Sequence, residues 1–330
     1  MRQFIALFVL LMFCGGCTTK SQEIRDCRSV VQATQETGAP YDPGRAVLYG
    51  RFISMAYAMY KKSPGDLTPE PAPDFPSGYE LTAWILMQDF VLGNTAPLFY
   101  GFIAHRSENP SHAILAIRGT ANDVEWWDDS NALGMTPFPV ANCGNVALGF
   151  ERIYATLEVV ERSVSDGGGH GSLKGAGSFS AQVAEHLRRY AAKTPGAAVP
   201  EPTIEVTGHS LGAPLAAYYV AENALVHKIR NPALYTFASP RVGDRDFVDV
   251  FNSLGLTSWR IVNKADIVPR LPPGPFFHHV NTEKLYDSSV SVRPTVGCQH
   301  AMTTYLHLID PTLPLDAKCR SAKRRVAGDP

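Results

Sequence analysis

The run Thr203-Ile-Glu-Val-Thr-Gly-His-Ser-Leu-Gly-Ala213 sets one serine between two glycines, with Ser210 two residues from each. Before it, Ile204 and Val206 alternate with polar neighbours, the period of a short strand. After it, Leu211 to Ala224 is rich in Ala, Leu and Tyr, as a buried helix is. The order strand, tight turn, helix is that of a nucleophile elbow built on Ser210. Gly208 and Gly212 stand where a side chain would collide with backbone once the serine is forced into a strained conformation. The Leu211 N–H follows directly behind Ser210 at the helix N-terminus, where developing negative charge is favoured. The five-residue pattern is weak alone, and its flanks give it weight.

Outward from the elbow, elements alternate. Ala46 to Tyr60 has helical spacing and stops at Lys61-Lys62-Ser63-Pro64. Strand-like runs follow at Leu81–Val91, Leu98–His105 and Ala113–Arg118. Helices are predicted at Phe150–Val164 and Phe179–Lys193, with a flexible glycine-rich insertion, residues 167–178, between them. Beyond the elbow come a strand at Ala233–Ala238, a helix at Asp246–Leu254, a strand at Ser258–Asn263 and a helix at His300–Ile309. Strands alternating with helices predict an α/β fold with a mostly parallel central sheet covered on both faces.

The chain has 330 residues, 45% of them hydrophobic, enough for one large core. Its formal charge is −1 with no long basic stripe, which argues against a nucleic-acid partner. Arg2 and the apolar run Phe4–Phe13 form a leader too short to span a bilayer, and Cys14-Gly-Gly-Cys17 after it resembles a bacterial lipoprotein lipobox. The expectation is a signal peptide at residues 1–16, lipidation on Cys17, a tether at 17–45, a globular domain at 46–312 and a basic tail at 313–330. The localisation that follows is a bacterial cell envelope, an outer membrane in particular, with plain secretion as the alternative. Four further cysteines in an oxidising compartment allow two bridges in three connectivities; Cys27 with Cys319 and Cys143 with Cys298 is the favoured set.

A serine hydroxyl needs a histidine to take its proton and a carboxylate to orient that histidine. Asp266 follows the strand ending at Asn263, at the edge where parallel sheets present their sites, although an Asp there is also a common turn former. Ile117-Arg118-Gly119-Thr120, Trp126-Trp127-Asp128-Asp129, Gly149-Phe150, Thr207–Ala213, Phe237–Gly243 and Asn263–Pro272 come in the order and at the spacing seen in the class 3, fungal-type triacylglycerol lipases. The resemblance covers roughly Ala46 to Ile309 and implies the α/β-hydrolase fold.

It further implies Asp266 as the acid and His300, before a Tyr-containing helix, as the base; His278, His279 and His307 are the competing histidines. It maps the second oxyanion donor, beside Leu211, to Thr120, with Asp129 supporting the Thr120 hydroxyl. It places a lid over Asn122–Pro139, where Trp126 and Trp127 stand among four carboxylates and one tryptophan turns toward the groove. Ala147 departs from the family, which often has a histidine there.

No metal-ligand spacing or phosphate-cradling loop occurs, so neither metal nor cofactor is expected. The expected activity is a serine carboxylester hydrolase acting on acylglycerols at a lipid interface. Phospholipase A1 or an esterase for polysaccharide-linked acids would use the same triad. An envelope lipoprotein that retains the fold without catalysis is the non-enzymatic alternative.

Overall fold

Alternation along the central strands feeds two cores. In the computed structural model, which describes residues 27, 38–88, 96–120, 134–162, 170–192, 201–280 and 282–321, strand β3 (Asn109–Ile117) turns Ala113, Leu115 and Ile117 to one face and Ile114 and Ala116 to the other. Both faces are buried, so the strand reads as a continuous apolar run. Strands β1 (Tyr79–Gln88), β2 (Pro97–Arg106), β6 (Glu158–Glu161), β7 (Gly171–Ser172), β8 (Thr203–His209), β9 (Leu234–Phe237), β10 (Ser258–Asn263) and β11 (Thr282–Tyr286) join it in one nine-stranded sheet. The order is β11-β10-β9-β8-β3-β2-β1-β6-β7. From β3 to β11 the neighbours are parallel, and from β3 to β7 antiparallel, so only β2 and β6 oppose the other seven. A small hairpin of β4 (Met135–Pro137) and β5 (Asn145–Ala147) stands apart.

Helices cover both faces. On one face pack α2 (Leu148–Tyr154), α3 (Phe179–Ala191), α4 (Gly212–Glu222) and α5 (Arg245–Ser253). On the other lie α1 (Pro43–Lys62) and α7 (Met302–Ile309). Helix α1 begins where Asp42 accepts the Arg45 N–H and Pro43 occupies the first turn, and it ends on Lys61 and Lys62, each favourable at its own pole of the helix dipole. The two helices pack closely because Gly50 has no side chain; a Cβ there would meet Leu306 Cδ2 at 2.7 Å.

Several expectations change. The predicted helix at Phe150–Val164 stops at Tyr154, and Val159 and Val160 instead pair with Ile85 and Trp84 as strand β6. β-Branched residues beside an open sheet edge favour that outcome over helix continuation. Part of the glycine-rich insertion is ordered: Gly171 and Ser172 add β7 to the edge, and Ser178 caps α3 while donating to Glu222 at 2.6 Å. The predicted helix at His300–Ile309 starts at Met302 as α7; His300 instead ends a separate short helix, α6 (Val296–His300), with Ala301 extended between the two.

The favoured disulfides are also replaced. Cys27 bonds Cys143 and Cys298 bonds Cys319. The physical reason is that each pair lies in its own apolar cluster, Cys27 and Cys143 in the large core and Cys298 and Cys319 in a small one with Val292 and Leu315. The expected tail therefore packs as far as Ser321, where the Ser321 N–H donates to Ser291 O. Likewise the hairpin takes up residues 135–137 of the segment expected as a lid. Cys17, Trp126, Trp127 and Asp129 lie outside the described residues, as do the leader and the end of the tail.

Candidate active site

Register brings the first elements together. Strands β3 and β8 pair with Ile117 opposite Gly208, so two residues further on Gly119 faces Ser210. The approach leaves no room for a side chain: a Cβ on Gly119 would meet Ser210 Cβ at 2.7 Å, and one on Gly212 would meet Ile117 O at 2.3 Å. Ser210 has φ 54°, a left-handed conformation that L-residues avoid, and it is held there by its N–H to Phe237 O and by Ala213 N–H to its own carbonyl. A Cβ on Gly208 would strike Gly212 O at 2.3 Å, so both glycines of the elbow are sterically required.

Arg118 anchors the loop opposite. Its buried guanidinium donates to Phe99 O and Gly119 O and lies between the Tyr60 and Tyr100 rings, 3.8 and 4.0 Å from their centroids. The strand end leading to Thr120 is thereby fixed.

Asp266 and His300 meet across two elements. His300 Nδ1 lies 2.8 Å from Asp266 Oδ2. The carboxylate is 1% exposed and also accepts from Tyr305 Oη at 2.8 Å and, through Oδ1, from Val268 N–H at 3.0 Å. Burial, followed by the Asp266 charge, pushes the Tyr305 phenol far above its ordinary range, so it stays a donor. Asn263, fully buried, donates to Gln299 O and Ser288 Oγ and accepts from Ser288 N–H, tying the end of β10 to the residue before His300.

A second network joins His300 to the Gly119 loop. Gly119 N–H donates to Tyr57 Oη, and Tyr57 Oη is 2.8 Å from His209 Nδ1. His209 Nε2 is 2.9 Å from His300 O. A carbonyl can only accept, so His209 carries its proton on Nε2 and takes the Tyr57 hydrogen on Nδ1. The assignment is consistent with its acidity: burial first, then the neighbouring His300, holds the His209 imidazole well below its usual value, and burial pushes the Tyr57 hydroxyl up to about 12.

Tyr57, Thr120, His209 and His300 line one cavity of about 810 Å³. The competing histidines are engaged elsewhere. His279 bonds Pro269 O and is pushed down to about 3, chiefly by burial; His307 bonds Leu313 O; His278 pairs through its backbone with Gly243. Ala147 is buried, its N–H donating to Val242 O. Among the described residues no group of three His, Cys, Asp or Glu is arranged to hold a metal.

Sequence reasoning did not assign Tyr57, Asn263 or the tie made by His209, and it used Tyr305 only as a landmark. Their signal is tertiary, because Tyr57 comes from α1, 152 residues before His209.

This arrangement is the α/β-hydrolase fold, with the candidate residues at the C-terminal ends of β3, β8 and β10. Residues 114–276, just under half of the chain, match the family model described as Lipase (class 3). A chloroplastic phospholipase A1-Igamma3 of Arabidopsis thaliana is 30% identical over 230 residues, 60% of this chain and 42% of that protein. A lipase of Rhizomucor miehei is 42% identical over 125 residues, 34% of each chain. The chain spans 42% and 49% of the lengths of two of the phospholipase A1 relatives it matches. Among solved structures, a lipase from Rhizopus microsporus var. chinensis superposes with a TM-score of 0.53 at 21% identity, over 77% of this chain and 78% of that one.

Proposed function

We propose that this chain is a serine carboxylester hydrolase that cleaves lipid acyl esters, acylglycerols first among them, through Ser210, His300 and Asp266. The observation that carries the reading is the pairing of His300 Nδ1 with a buried carboxylate at 2.8 Å, at the sheet end where Ser210 is strained into an elbow. With Nδ1 committed to Asp266, Nε2 is the nitrogen left to take the Ser210 proton. The hydroxyl oxygen attacks the ester carbonyl, and the charge that develops on the carbonyl oxygen is met by Leu211 N–H and Thr120. His300 then gives its proton to the departing alcohol, leaving an acyl-enzyme. Water enters by the same route: His300 removes its proton, and the acid is released as Ser210 regains its hydrogen.

Asp129 supports Thr120 in this reading, and the segment around Trp126 and Trp127 closes over the groove in water and opens at a lipid surface. The chain is anchored through lipidated Cys17 in a bacterial envelope. Support for the lipid substrate comes from relatives named lipase and phospholipase A1. Ser210→Ala tests the core of the reading: p-nitrophenyl butyrate turnover should fall at least about a hundredfold, and fluorophosphonate labelling should vanish. Labelling that persists in the variant would place the nucleophile elsewhere.

A further inference from the structure

The helix that ends on the candidate base is too short to hold itself in place. α6 has 5 residues and lies between Thr295 and Ala301, both extended. A single turn has too few hydrogen bonds to persist alone, so the position of α6 is set by what ties it down. Thr304 Oγ1 donates to Cys298 O at 2.6 Å, Asn263 Nδ2 to Gln299 O at 2.8 Å and His209 Nε2 to His300 O at 2.9 Å. A further tie is covalent, the bond from Cys298 to Cys319.

The two disulfides differ in access. Cys27 and Cys143 belong to the large core and are 0% and 1% exposed. Cys298 shares a cluster of four with Val292, Leu315 and Cys319, and it also lines the cavity of Thr120 and His300. Cys319 is fully buried, so a thiolate arriving through the cavity meets Cys298 first. Its attack forms a mixed disulfide on Cys298 and frees Cys319; the second thiol of the reductant then displaces Cys298. The reductant leaves as a disulfide, and its two electrons and two protons end on the two cysteines.

Two thiols need more room than two bonded sulfurs, and a close-packed cluster leaves none. The C-terminal segment is braced against residues 291–293: Arg293 N–H donates to Cys319 O at 2.9 Å and Ser321 N–H to Ser291 O at 3.2 Å. One-turn α6 is the element that gives way, and His300 stands two residues from Cys298.

We infer that the Cys298–Cys319 bond is a redox switch on the hydrolase site: oxidised, it holds His300 against Asp266, and reduction by a dithiol shifts α6 and turns hydrolysis down. The inference rests on the reading of His300 as the base and adds a regulation to it. A displacement of about 1 Å in a catalytic group costs roughly a hundredfold, so a partial shift should lower kcat about tenfold. KM should stay within about twofold, because the His300–Asp266 alignment serves the transition state rather than substrate binding.

The test titrates the full chain with dithiothreitol under native conditions. Turnover of p-nitrophenyl butyrate, iodoacetamide alkylation of each cysteine and tryptophan fluorescence are followed together. Alkylation of Cys298 and Cys319 should rise as kcat falls, with Cys27 and Cys143 still bonded and the fluorescence native. Removal of the reductant and addition of oxidised dithiothreitol should restore kcat. Cys298→Ser/Cys319→Ser should have lost the response, and Cys27→Ser/Cys143→Ser should keep it.

A kcat within twofold of the oxidised protein once Cys298 and Cys319 are fully alkylated overturns the switch, with no variant needed. A double variant at these two positions that still responds to dithiothreitol overturns it as well. So does a loss of turnover that tracks a loss of native fluorescence, which is unfolding. If the oxidised protein neither cleaves p-nitrophenyl butyrate nor takes a fluorophosphonate, the hydrolase reading fails instead.

Discussion

Tyr57→Phe removes one oxygen and almost no volume, yet it cuts the chain from Gly119 through His209 to His300. Two groups lose their partner: Gly119 N–H at 2.8 Å and His209 Nδ1 at 2.8 Å. Leaving a buried polar group unpaired costs about 1–3 kcal/mol, so the pair sets a ceiling of about 2–6 kcal/mol. Tyr57 lines the cavity, and a water entering there restores part of that, which places the expected loss near about 2 kcal/mol.

The kinetic consequence is separate. Gly119 precedes Thr120, and a loop whose N–H has lost its acceptor no longer presents the proposed oxyanion donor in one position. Misplacing such a donor costs roughly ten- to a hundredfold, and because the charge exists only in the transition state the loss falls on kcat rather than KM. Urea unfolding and saturation kinetics on p-nitrophenyl butyrate measure the two effects on one preparation. A variant with wild-type kcat and an unmoved unfolding midpoint would refute the proposed network.

Three further outcomes can be checked. His279, pushed down to about 3 in the folded state against about 6.5 when unfolded, makes the unfolded chain bind an extra proton between those values. Stability from this group is therefore full above about pH 6.5 and lost on acidification, by about 2 kcal/mol at pH 5, while buried His209 acts in the same direction. His279→Gln should flatten the decline in urea midpoints between pH 7.5 and 5, and a decline as steep as wild type contradicts the burial argument.

Cys298→Ser/Cys319→Ser should lower stability by at most roughly 3 kcal/mol for a bridge spanning 21 residues, and non-reducing peptide mapping of wild type should recover Cys298 with Cys319. Recovery of Cys143 with Cys298 would reject the pairing. Trp126→Ala/Trp127→Ala should flatten any rise in short-chain ester turnover at the solubility limit; an unchanged rise would remove these residues from a lid role.

Local sequence determined what depends on sterics within a few residues. Gly208, Ser210 and Gly212 could be read because the elbow permits no other side chains at the flanking positions, and the strand and helix around them follow from period two and from an apolar Ala-rich run. Asp266 was legible as a residue at a strand end, whereas singling out His300 among four histidines needed a family resemblance.

Tertiary structure decided what depends on distant segments meeting. The Val159-Val160 segment became a strand because β1 offered an edge, and no local pattern reports that edge. The cysteines paired according to which apolar cluster buried them, a property of packing rather than of order along the chain. Tyr57, Asn263 and Tyr305 acquire their roles from hydrogen bonds spanning 152, 36 and 39 residues. A hydroxyl or amide has no meaning for the site until the sheet places its partner within 3 Å, and that placement is a global consequence of the fold.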